Sequence, residues 1–322
     1  MKGILKKIEK IGIVPVIKLE KLEDAVPLAK ALCEGGIPCA EVTFRTDICV
    51  DVIKVMKETY PEMIIGAGTV LTKDQVDAAI KAGAEFIVSP GFNPEIVEYC
   101  NGKKIIITPG CTTPSDIEQA LKLGLEAVKF FPAENAGGIK MIKALSAPYE
   151  KLKFMPTGGI NIDNIKSYLD FDKVIACGGT WMVPSELIEK KNFEQIKILT
   201  RITVENMLGF SLAHIGLNMA SSEEAESVVD TFESIFGFKK AENPNSIFAG
   251  SYIEAMRSPY LGKNGHIAIF TDYIERAVAY LERNKIKLNQ ESAKYNSAGK
   301  LGAIYLENEI GGFAIHLVQK AK

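Results

Sequence analysis

The chain has 322 residues, 47% of them hydrophobic and 24% charged, with a formal net charge of −2. That length exceeds one ordinary domain and predicts a large domain joined to a smaller one, with the composition of a soluble, well-packed cytoplasmic protein. So balanced a charge excludes the broad basic field of a nucleic-acid or anionic-membrane binder, and leaves small anionic metabolites, which local groups can hold.

The opening MKGILKKIEKIGIVPVIKL carries basic residues and then an apolar run, too short and too β-branched for a membrane span and without a small-residue cleavage site. That apolar run, IGIVPVIKL, reads as the first strand of a barrel. Strand patterns then recur as CAEVTF, MIIGAGTV, FIVSPG, KIIITPG, AVKFFPA, KFMPTGG and VIACGGTW, separated by helical patterns from LEDAVPLAKALCEGG to DNIKSYLDFD. One last helical stretch, ELIEKKNFEQIKILTRITVENML, follows the eighth strand. Eight near-continuously apolar strands, each with a helix, predict an α/β fold in the form of a (β/α)8 TIM barrel rather than an open doubly wound sheet.

Near Gly209 the order becomes strand, helix, several strands, and then the same again. This weak duplication of a βαβββ unit predicts a smaller α+β domain of two modules, giving domains at 1–207 and 210–322. The cysteines (Cys33, Cys39, Cys49, Cys100, Cys111 and Cys177) show no C-x-x-C spacing and read as free thiols of a reducing compartment.

Barrel enzymes place their chemistry at the C-terminal ends of the strands. Alternation puts Lys129 on one face with Ala127 and Phe131. A lysine facing an apolar interior loses some of its preference for the charged form, and a neutral amine attacks carbonyls. On the second strand Cys39, Glu41, Thr43 and Arg45 share a face, so a carboxylate for proton transfer stands beside a guanidinium that could clamp an anion. A Glu41–Arg45 salt bridge that merely closes the barrel is the alternative. Thr69 offers a hydroxyl after the third strand. Two glycine turns, Thr157-Gly158-Gly159 and Gly178-Gly179-Thr180, follow strands seven and eight, where barrels commonly bind phosphate.

The motifs EVTFRT, GAGTVL, SPG, VKFFPAE, PTGGI and GGTWMVP, in that order, resemble the 2-keto-3-deoxy-6-phosphogluconate (KDPG) / 4-hydroxy-2-oxoglutarate (KHG) aldolase family over residues 1–205. The resemblance implies a metal-independent pyruvate aldolase of class I. Lys129 would be its Schiff-base lysine and Glu41 its general acid/base. Arg45 and Thr69 would bind the pyruvate carboxylate, Pro90 and Phe131 would line the pocket, and Gly158, Gly159, Gly179 and Thr180 would hold the phosphate. Thr180 stands where many members carry serine, and the hydroxyl is retained. The resemblance further implies a homotrimer and no cofactor. A class II metal aldolase is disfavoured because this domain contains no histidine.

All histidines of the chain, His214, His266 and His316, fall in the second domain. His214 and His266 hold equivalent places on the first strand of each repeat, and Glu254 and His316 on the last. Apolar neighbours face the other way, so the four polar groups converge on one face and suit Zn²⁺, Ni²⁺, Co²⁺ or Fe²⁺. HIGLNM, YIEAM, GHIAIF and GGFAIHLVQ resemble the glyoxalase / vicinal-oxygen-chelate superfamily over about residues 210–320. Its metal ligands would fall on the same four residues. The last is often glutamate there and acts as a base in glyoxalase I, which argues against that isomerase activity here. A rival reading makes the barrel a scaffold and the second domain the metal-dependent lyase or ligand sensor; the presence of both Lys129 and Glu41 speaks against it.

Overall fold

In the computed structural model, which describes residues 3–321, the chain divides into two compact units, Met1–Asn206 and Met207–Lys322. The first alternates strands and helices. Its strands are β1 (Ile13–Ile17), β2 (Cys39–Thr43), β3 (Ile64–Gly68), β4 (Phe86–Ser89), β5 (Ile106–Pro109), β6 (Ala127–Phe130), β7 (Lys153–Pro156) and β8 (Cys177–Gly179). Six of them form one sheet in the order β5-β4-β3-β2-β1-β8, and β6 pairs with β7. Every named pairing in this unit is parallel. Single parallel bridges, Gly110 with Lys129 and Thr157 with Gly178, join β5 to β6 and β7 to β8. This curled parallel sheet fits a (β/α)8 barrel.

The strands are buried nearly throughout because helices cover the outer face and side chains fill the inner one. Glycine decides where the inner layer can hold a large group. A Cβ on Gly66 would lie 2.2 Å from the Phe86 ring, so that glycine is the space the ring occupies.

One expectation needs correction, in the stretch after β8. Ahead of β1, which falls within IGIVPVIKL as expected, Ile4–Ile11 forms helix α1 and buries Leu5, Ile8 and Ile11 at helical spacing. Gly12, left-handed at φ 79°, ends the helix and lets the chain turn into β1. Met1 and Lys2 lie outside the described residues. The stretch after β8, expected as one helix, is broken into Ser185–Glu189 and Phe193–Leu208. Lys191 adopts φ 54°, and the Asn192 side chain accepts from the Gln195 amide at 3.1 Å, starting a new helix.

The second unit has β9 (Ser211–Asn218), a helix Ser222–Phe236, β10 (Lys240–Glu242), β11 (Ser246–Ala249) and β12 (Ile253–Met256). The order then repeats as β13 (Gly265–Thr271), a helix Ile274–Arg283, β14 (Leu288–Tyr295), β15 (Leu301–Leu306) and β16 (Phe313–Gln319). The strands form one mixed sheet ordered β10-β11-β12-β9-β13-β16-β15-β14, which reads the same from either end when the repeats are exchanged. Ala225 and Val229 of the first helix pack on Ile247, Ala249 and Ala255, so Glu254, by alternation, points to the opposite face.

Candidate active site

Glu41 on β2 and Lys129 on β6 are 1% and 6% exposed, and Nζ lies 3.2 Å from Oε1 and 3.5 Å from Oε2. The partner of Glu41 is therefore Lys129 and not Arg45. Arg45 follows β2 on the exposed side of the turn and forms no ion pair with Glu41. Lys129, expected on an inward face, thus stands against a buried carboxylate. Phe131, just past β6, covers the pair from one side, its ring centroid 5.4 Å from Nζ.

Gly68, at the end of β3, makes this contact sterically feasible. A Cβ there would fall 2.2 Å from Glu41 Oε1 and 2.6 Å from its Cγ. The sequence reading passed over this residue, although two glycines two apart in a buried strand signal close approach by something large. Thr69, next in the chain, holds φ 58°, and it is the only β-branched residue among the described non-glycine residues with positive φ. Such a conformation costs about 1–3 kcal/mol and persists where the surroundings demand it.

Pro90 is exposed after β4, above a close approach of backbones. Gly110, whose Cβ would lie 1.9 Å from the Pro90 carbonyl oxygen, donates its amide to the Ser89 carbonyl at 3.0 Å. Thr157 follows β7 directly, and its buried hydroxyl has no protein partner among the described residues. It rests against Gly178, where a Cβ would meet it at 2.3 Å.

Gly158 and Gly159 both take left-handed φ, 101° and 79°, which makes glycine the natural occupant. Their turn is stapled to the loop after β6: the Ala133 amide donates to the Thr157 carbonyl at 2.8 Å and the Glu134 amide to Gly158 at 3.1 Å. The Glu134 carboxylate in turn accepts a short hydrogen bond from the Tyr168 hydroxyl. Gly179 leaves room for the Trp181 ring, and Thr180 beside it is exposed. Neither the Gly159 nor the Thr180 amide donates to a protein acceptor among the described residues. The arrangement thus sets a buried amine against a buried carboxylate, beside two turns whose Gly159 and Thr180 amides have no protein acceptor among the described residues.

The second unit gathers a separate cluster. His214 Nε2 and His266 Nε2 are 3.1 Å apart, and both face Glu254 Oε2, at 3.1 and 3.0 Å. His316 joins them; the ligand atoms of the three imidazoles lie within 4.8 Å of one another. Strand register explains the convergence. Glu254 and His266 flank Gly216 on neighbouring strands, while His214 and His316 flank Ala268. Each small residue leaves the gap into which its two large neighbours lean; a Cβ on Gly216 would come 2.0 Å from the His266 ring. Burial, followed by the neighbouring His266 and His214 rings, pushes His316 down to about 3. For Glu254 burial pushes upward, but donation from His214, His266 and Ser246 outweighs it and holds the carboxyl well below the usual range. His266 Nδ1 and both ring nitrogens of His316 are buried without a hydrogen-bond partner among the described residues.

Comparison with known proteins places the first unit. The family described as "Aldolase: KDPG and KHG aldolase" matches residues 4–199. The 2-dehydro-3-deoxy-phosphogluconate aldolase of Treponema pallidum (strain Nichols) is 46% identical over 202 residues, spanning 63% of this chain and 96% of that protein. The KHG/KDPG aldolase of Escherichia coli (strain K12) is 42% identical over 193 residues, spanning 60% of this chain and 91% of the other. Among solved structures, the KDPG aldolase of Legionella pneumophila, with pyruvate captured at low pH as a covalent carbinolamine intermediate, superposes with a TM-score of 0.61. It is 39% identical and covers 63% of this chain and 99% of its own. With these matches laid over the buried amine and carboxylate, the chain belongs to the KDPG and KHG aldolase family and is a class I aldolase, a carbon–carbon lyase.

Proposed function

We propose that Lys129 is the Schiff-base nucleophile and Glu41 the acid/base of a reaction that cleaves KDPG to pyruvate and glyceraldehyde 3-phosphate, and KHG to pyruvate and glyoxylate. The observation that carries this reading is the buried Lys129–Glu41 contact of 3.2 Å. Glu41 takes a proton from the ammonium, the free amine adds to the C2 ketone, and Glu41 returns that proton to the carbinolamine hydroxyl, which leaves as water; a protonated imine remains and Glu41 is again a carboxylate. That imine withdraws the electron pair of the C3–C4 bond when Glu41 accepts the C4-hydroxyl proton, directly or through water. The aldehyde leaves, C3 of the enamine takes up a proton, and hydrolysis returns the amine and pyruvate. Nitrogen provides the electrophilic activation, so these steps draw on no metal.

Around the pair, Arg45 and Thr69 would receive the carboxylate of the 2-keto acid, with Pro90 and Phe131 as walls. Thr157, Gly158, Gly159, Gly179 and Thr180 would hold the phosphate of KDPG. Free amides at Gly159 and Thr180 and the unpartnered hydroxyl of Thr157 support that assignment. The functional chain is a homotrimer of the cytoplasm in this reading. No helix among the described residues is long and apolar enough to cross a membrane.

For the second unit we read His214, Glu254, His266 and His316 as holders of one divalent transition metal, Zn²⁺, Ni²⁺, Co²⁺ or Fe²⁺. An ion held there would satisfy one of the two buried, unpartnered ring nitrogens of His316 and would sit against Nε2 of His214 and His266. The 3.0–3.1 Å separations among His214, His266 and Glu254 approach the edge of about 3.3 Å that a tetrahedral shell implies. Such an ion would bind and orient a ligand in the second unit. Pyruvate release from KDPG and from KHG by the full chain, with and without a chelator, tests both assignments. Turnover of both substrates that resists chelation is the expected result, and loss of turnover on metal removal would contradict it.

A further inference from the structure

The two halves of the histidine–carboxylate cluster are related by exchange of the repeats, and the comparison exposes one difference. On β11 and β12, Phe248 is in register with Glu254 and Ser246 with Met256. On β15 and β16, Tyr305 is in register with His316 and Ala303 with Val318. Ser246 therefore corresponds to Ala303, and Glu254 to His316. The half with a hydroxyl has a satisfied ligand, while the half with a methyl has His316, whose ring nitrogens are both unpartnered.

The serine is fully buried, and its Oγ lies 2.5 Å from Glu254 Oε1 and 2.9 Å from Asn243 Oδ1. A hydroxyl has one proton to give, and a carboxylate takes it in preference to a neutral amide, since charge-assisted bonds are the stronger. Asn243 Oδ1 loses nothing by this, because it also accepts from the amides of Ser246 at 2.9 Å and Asn245 at 3.1 Å. Those two bonds fix the turn that carries the serine. One oxygen of Glu254 is thus engaged from behind and only Oε2 faces His214 and His266.

We infer that Ser246 is a positioning residue that presents Glu254 to the metal through Oε2 alone, fixing the carboxylate before an ion binds. This rests on the metal-binding reading above. Without Ser246 the carboxylate can rotate and offer both oxygens, and the entropy of fixing it is met at binding instead of at folding. Support of this kind is worth 10- to 100-fold in metal affinity, as an order-of-magnitude expectation.

The test is a competition titration of the full chain with Co²⁺ and Zn²⁺, comparing wild type, Ser246→Ala, Ser246→Cys and Glu254→Ala. The expectation is a 10- to 100-fold weaker Ser246→Ala protein, on the order given above. Its Co²⁺ visible bands should shift toward a higher coordination number as both carboxylate oxygens engage. Ser246→Cys, which keeps a weak donor, should fall between it and wild type. The thermal transition of metal-free Ser246→Ala shows whether the fold survives; if it does not, the Ser246→Cys spectrum carries the test. Metal affinity and Co²⁺ spectrum unchanged in both variants, with Glu254→Ala impaired, would overturn the role of Ser246 while leaving the metal site standing. A wild-type protein that takes up neither ion would remove the site and this role together.

Discussion

Gly68→Ala isolates the contact on which catalysis is argued to depend, because the substitution touches neither Lys129 nor Glu41 in chemistry. The added methyl would stand 2.2 Å from Glu41 Oε1, 2.6 Å from Cγ and 2.8 Å from Cδ. Ordinary van der Waals contact lies near 3.5 Å, so the carboxylate must retreat by about 1 Å or more. It is only 1% exposed and cannot swing into water, so the retreat draws it off the 3.2 Å contact with Lys129. Misplacement on that scale costs about 100-fold, and full loss of acid/base catalysis about 10²- to 10⁴-fold, equivalent to roughly 2.7–5.5 kcal/mol of barrier. Pyruvate release coupled to lactate dehydrogenase should show kcat for KDPG reduced within that range, with KM changed far less. The thermal transition should persist, lowered by the 1–3 kcal/mol or so typical of overpacking. A folded Gly68→Ala protein with kcat within threefold of wild type would refute the claim that Glu41 acts from its observed position.

Gly159→Ala combines a left-handed φ of 79° with a methyl placed 2.6 Å from the Glu134 side chain, so the turn must open. Its KM for KDPG should rise several-fold while KM for KHG stays near wild type; equal losses would place the phosphate elsewhere. In metal-free protein the second unit should be acid-labile. His316 titrates near 6.5 when unfolded but only at about 3 in the fold, so between these values the unfolded chain binds a proton that the folded chain refuses. Stability is then full above about pH 6.5 and falls with pH at a limiting slope of ~1.4 kcal/mol per unit, which calorimetry of wild type and a flatter His316→Phe profile should show.

What could be read without the structure followed from periodicity. The alternation along AVKFFPA and CAEVTF put Lys129 and Glu41 on the inner face because a parallel strand has only two faces. The same rule set Glu254 opposite Ala255 and the helix packed there. What escaped was set by partners distant in sequence. Glu41 could be assigned a face but not a neighbour: Arg45 is four residues away and Lys129 is 88, and the barrel's closure selects the latter. The roles of Gly68, Gly216 and Ala268 lie in the side chains they lack, and only the register of adjoining strands shows who uses the space. Ser246 became visible for the same reason, through comparison with Ala303 across the repeat.

The central claim is that Lys129 forms an imine with the 2-keto acid, and reductive trapping tests it most directly. Wild-type protein incubated with pyruvate and sodium borohydride should gain one covalent adduct per chain, with loss of activity, and peptide mapping should place it on Lys129. Lys129→Ala protein, treated alike and still folded, should gain none and release no pyruvate from KDPG. An adduct mapped to another lysine, or KDPG turnover by Lys129→Ala protein, would contradict the account.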